Sequence, residues 1–60
     1  MNEYREAVTT ARIAAAETGE DIAVIAYDHS FALHFAGAVL HLPEIAERIC
    51  HIVEPPKEES

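Results

Sequence analysis

Residues 3–18 run without glycine or proline and place Tyr4, Ala7, Val8, Ala11, Ala14 and Ala15 on one stripe at helical spacing, which predicts a first helix. Gly19 follows the last periodic residue and suits a left-handed C-terminal stop. Ile13 departs from the stripe: at about 100° per residue it points nearly opposite Tyr4 and Val8. It is therefore either an isolated exposed side chain or a sign that the helix is covered on two sides.

The pattern then changes period. Residues 22–27 read Ile-Ala-Val-Ile-Ala-Tyr and residues 31–35 read Phe-Ala-Leu-His-Phe, with Asp28, His29 and Ser30 between them. Two strands joined by a short polar turn are expected, Asp28 being a favoured first turn residue. A pairing of Tyr27 with Phe31 sets Ile25 opposite Leu33 and Ala23 opposite Phe35, gathering the large side chains on one face. The other face then carries Ile22, Val24, Ala26, Ala32 and His34, so both faces are apolar and each needs a cover.

Gly37 marks a kink or the end of the second strand, and residues 38–42 continue that strand or form a third short one. Pro43 and Glu44 suit the first turn of a second helix. Ile45, Ile49, Ile52 and Val53 follow at helical spacing until Pro55 and Pro56 stop it. Residues 57–60 are expected to form a disordered acidic tail.

Size limits what this pattern can build. Of the 60 residues half are apolar, but Ala supplies eleven of those thirty, which leaves a thin core for a lone chain. One domain over residues 1–56 is expected, with help from a second subunit, and a single chain of this size rarely encloses an enzyme pocket. The lone Cys50 closes no intramolecular disulfide, and the polar start at Asn2, Glu3, Tyr4, Arg5 and Glu6 is unlike a secretory leader, so a cytoplasmic setting is expected. The apolar stretches are far shorter than the roughly twenty residues of a membrane span.

Eleven acidic against four basic residues give a net charge of −7, and Arg5, Arg12, Arg48 and Lys57 are spread along the chain. Direct binding to nucleic acid or an anionic membrane is disfavoured, and attraction to a basic protein surface is favoured. On the second predicted helix Glu44, Glu47, His51 and Glu54 fall on one face opposite Ile45 and Ile49, forming an acidic ridge and a candidate partner-binding site. Glu3, Glu6, Glu17, Glu20, Asp21, Glu58 and Glu59 are candidates to extend it. In composition the chain resembles the small acidic proteins with which bacteriophages and other mobile elements block host enzymes or nucleases. The resemblance aligns no residues and implies an inhibitor.

Chemistry-bearing combinations are few. Asp28, His29 and Ser30 carry the letters of a hydrolytic triad, but three neighbours in one turn cannot converge as a triad must. His29, His34, His41 and His51 lack a zinc-ligand spacing; His34 and His41, with Cys50 or His51, form the candidate metal set of an alternative zinc-protein reading. Acidic neighbours around Cys50 disfavour a reactive thiol, which makes it a small, partly buried apolar residue. A further alternative is a small-molecule site in a dimer cleft around Tyr27, His34 and Phe35.

The sequence therefore predicts an α+β domain: a helix, a β-hairpin, an optional third strand and a second helix. Both helices are expected on one sheet face, with the other face buried in a homodimer through Ile25, Tyr27, Phe31, Leu33 and Phe35. The expected function is a non-enzymatic protein-binding module without cofactor. As an inhibitor or regulator, it would present carboxylates to a basic, nucleic-acid-binding type of surface on its partner.

Overall fold

The structure is a computed structural model, and the residues it describes are 2–57. The first helix, α1 (Glu3–Thr18), has the bounds its pattern predicts. Asn2 caps its start, its side-chain Oδ1 accepting from the Arg5 N–H at 3.2 Å. Gly19 ends it at φ 74°, its N–H donating to the Ala15 carbonyl. Val8, Ala11 and Ala15 are buried, whereas Ile13 is 57% exposed, so the helix is covered on one side only.

Three strands, β1 (Ile22–Ala26), β2 (Phe31–Phe35) and β3 (Ile49–Val53), form one antiparallel sheet in the order β2-β1-β3. Two four-residue helices, α2 (Ala36–Val39) and α3 (Pro43–Ala46), lie between β2 and β3 in sequence. The α+β class holds, with three corrections to the detail.

The first concerns register. The Tyr27 N–H donates to the Ser30 carbonyl at 2.8 Å, which leaves only Asp28 and His29 at the hairpin tip. Pairing therefore slides by one residue: Ala26 faces Phe31, Val24 faces Leu33 and Ile22 faces Phe35. A slip of one exchanges the face of every β2 side chain relative to β1. Phe31 and Leu33 consequently pack with Ile22, Val24 and Val53 against Val8, Ala11 and Ala15 of α1.

The second concerns residues 43–53. Pro43 does open a helix, but it stops after one turn at Ala46, and Ile49 to Val53 form β3 instead of further helix. Three of those five residues are β-branched, which suits a strand. The spacing that imitated a helix has a local cause. His51 pairs with Val24 and Ile49 with Ile25, so Cys50 is the extra residue of a β-bulge. The bulge returns Ile49 and Ile52, three residues apart, to the same sheet face. Residues 38–42 form no strand, since α2 occupies 36–39.

The third concerns the layers. Ala36 and Val39 of α2 pack with Ala23 and Ile25, on the face opposite α1, joined at their margin by Ala32, Ile45 and Ile49. The helices thus flank the sheet on both faces, not one. Central β1 lies between two small cores, with Ile22, Ala23, Val24 and Ile25 all buried. The expected tail lies, apart from Lys57, outside the described residues.

Candidate protein-docking edges

A three-stranded sheet has two outer strands, here β2 and β3. Their backbone directions follow from two hydrogen bonds. The Ala26 N–H donates to the carbonyl of Arg48 in the turn before β3, and the adjacent Tyr27 N–H to that of Ser30 just before β2, both at 2.8 Å. Successive β1 residues therefore bond alternately to the two sides. Phe31 and Leu33 stand opposite Ala26 and Val24, which bond to β3, so their own N–H and C=O groups point outward along the open β2 edge.

Above that edge lies one flank of α1. Glu3, Glu6, Ala7 and Thr10 line a groove of about 310 Å³ with Ser30, Phe31 and Leu33. Tyr4 meets Phe31 edge-on, with ring centroids 5.7 Å apart, which holds the helix start over β2. Two carboxylates thus overlook a strip of outward backbone donors and acceptors.

The other flank of α1 has the opposite sign. Asn2, Tyr4, Arg5, Val8, Thr9, Arg12 and His51 line a groove of about 570 Å³ between the helix and β3. Arg5 and Arg12, seven apart, share one side of the helix, a spacing visible in the sequence. His51 joins them because its strand partner Val24 lies on the α1 face.

This geometry redistributes the sequence-predicted site residues. Glu44 lies on α3, Glu47 caps it, His51 sits in β3 and Glu54 follows that strand, all exposed. They share no helix face, because the helix that would have aligned them does not form, and His51 lines the groove that holds Arg5 and Arg12. Arg5 and Arg12, aligned by their spacing on α1, come together with His51 in one groove. The acidic flank instead belongs to Glu3 and Glu6, which sequence reading named only as an extension of the ridge.

The five residues of the expected subunit interface are also separated. Ile25 is fully buried on the α2 face, Phe31 and Leu33 are half-buried on the α1 face, and Tyr27 and Phe35 are each 44% exposed. The Arg48 guanidinium lies over the Tyr27 ring, 5.6 Å from its centroid. Asp28, His29 and Ser30 are exposed at the hairpin.

His34 is exposed on edge strand β2, whereas Cys50 and His51 are on the opposite edge, β3. Among the described residues no three His, Cys, Asp or Glu side chains converge as a metal-holding group. Cys50 is exposed, not partly buried as a helical position implied, and its thiol lies 3.5 Å from the Val24 carbonyl. Among the described residues no helix is long and apolar enough to cross a membrane.

No family model, curated protein or solved structure matches the chain significantly.

Proposed function

We propose that the chain is a small acidic protein-binding module that acts as an inhibitor or regulator by occupying a partner, without catalysing a reaction. Its partner offers a basic extended segment, of the kind found on nucleic-acid-binding surfaces, to the open edge of β2. One observation carries this reading: Glu3 and Glu6 line a groove whose other wall is the outward-facing backbone of Phe31 and Leu33. An added strand satisfies the edge backbone groups, while carboxylates beside it select lysine and arginine side chains and repel acidic ones. The net charge of −7 adds a long-range attraction for a basic partner.

Isothermal titration with a short alternating lysine–valine peptide tests the reading. Saturable binding is expected, weakened about tenfold by Glu3→Gln with Glu6→Gln, the loss of roughly 1.4 kcal/mol. Methylating alternate backbone nitrogens of the peptide is expected to abolish binding, because it removes the donors that pair with the edge. Equal affinity for the methylated peptide, or for a glutamate–valine peptide, would overturn the proposal.

A further inference from the structure

Although the chain as a whole carries a charge of −7, the two flanks of α1 beside the outer strands have opposite sign. Leu33 on β2 and His51 on β3 are both partners of Val24, so they lie level on either side of the sheet. Glu3 and Glu6 stand beside the β2 edge, and Arg5 and Arg12 beside the β3 edge. From this complementarity we infer that the chain assembles with copies of itself head to tail, the β3 edge of one copy pairing with the β2 edge of the next.

Both strands run antiparallel to β1 and hence in the same direction, so a lateral repeat joins them as a parallel pair with every α1 on one sheet face. Three strands at about 4.8 Å set successive α1 helices about 14 Å apart. Helices in direct contact lie about 8–10 Å apart, so the wider gap is spanned by long arginine and glutamate side chains. Same-edge pairing about a twofold axis is disfavoured: β2 against β2 opposes glutamates, and β3 against β3 opposes arginines. A head-to-tail joint is heterologous and does not close at two subunits. It uses the acidic edge of the proposed docking groove but does not depend on any foreign partner.

Sedimentation velocity of the full chain at about 50 mM and about 500 mM salt, with Debye lengths on the order of 14 and 4 Å, provides the test. At low salt the mass is expected to rise with concentration past that of a dimer, and at high salt to fall towards the monomer. Arg5→Glu with Arg12→Glu, and separately Glu3→Lys with Glu6→Lys, are each expected to abolish assembly while retaining the wild-type circular dichroism spectrum. An equimolar mixture of the two is expected to assemble again, since each then offers the other an opposite charge. Should the lysine variant unfold, Glu3→Gln with Glu6→Gln is expected to weaken assembly while keeping the fold. A monomer at all concentrations, a salt-insensitive closed dimer, or a mixture that stays monomeric would overturn the inference. Retained binding of the lysine–valine peptide in that case would leave the docking reading standing, whereas its loss with assembly intact would remove only the docking reading.

Discussion

Tyr4 and Phe31 meet at an interplanar angle of 63°, tying the first turn of α1 to the first residue of β2. The contact positions Glu3, one residue before Tyr4, above the open strand edge. A double-mutant cycle with Tyr4→Leu and Phe31→Leu is expected to give a coupling of about 0.5–1.5 kcal/mol in urea denaturation. Additive effects would show that the rings only fill space.

The two glycines are expected to respond to alanine with opposite signs. Gly19 has φ 74°, and a Cβ there would meet nothing within 4 Å, so Gly19→Ala costs only the left-handed backbone penalty, about 1–2 kcal/mol. Gly37 is not at positive φ and also has open space, so Gly37→Ala is expected to stabilise by about 0.4–1 kcal/mol. Thermal melts of the two variants check this ordering.

Ile25 and Ile13 form a second contrasting pair. Ile25 is fully buried between β2 and β3, and Ile25→Ala is expected to cost about 2–5 kcal/mol. A domain of this length has a total stability of only about 3–9 kcal/mol, so the loss is a large share. Ile25→Glu is expected to leave no folded chain to assay, because it buries an unpaired charge. Ile13→Ala, on the exposed side of α1, is expected to stay within about 0.5 kcal/mol of wild type. Chemical denaturation midpoints at fixed protein concentration measure both.

Cys50 is exposed at the bulge of an outer strand. It is expected to react with a thiol reagent such as dithionitrobenzoate in the folded protein, at a rate unchanged by subdenaturing urea. A thiol that reacts only on unfolding would place the side chain inside the protein.

Local rules made α1 legible from its first residue to its last. The Ala-rich stripe, the absence of Gly and Pro, and Gly19 each act within a few residues of the positions they govern. The two hairpin strands were legible for the same reason, since 22–27 and 31–35 are β-rich runs around a polar turn, the first strand ending one residue early at Ala26. Their register was not. A loop of two residues instead of three reverses the relative faces, and both arrangements leave apolar side chains on each side of β1, so the pattern alone does not choose.

The acidic ridge failed through a related ambiguity of period. Ile45, Ile49 and Ile52 repeat as a helix would, yet Ile49 and Ile52 share a face because a bulge at Cys50 shifts a strand by one residue. The pairing of Arg5, Arg12 and His51 was legible only in part: seven residues align the arginines on a helix, but His51 reaches them through its partner Val24. By itself the sequence determined the class of fold, the first helix, the hairpin strands and the excess of negative charge. Each follows from composition or from interactions spanning a few residues. Only the tertiary structure decided the third strand, the division of helices between two faces and the separation of acidic from basic edges, because all three depend on which side of β1 distant segments pair with.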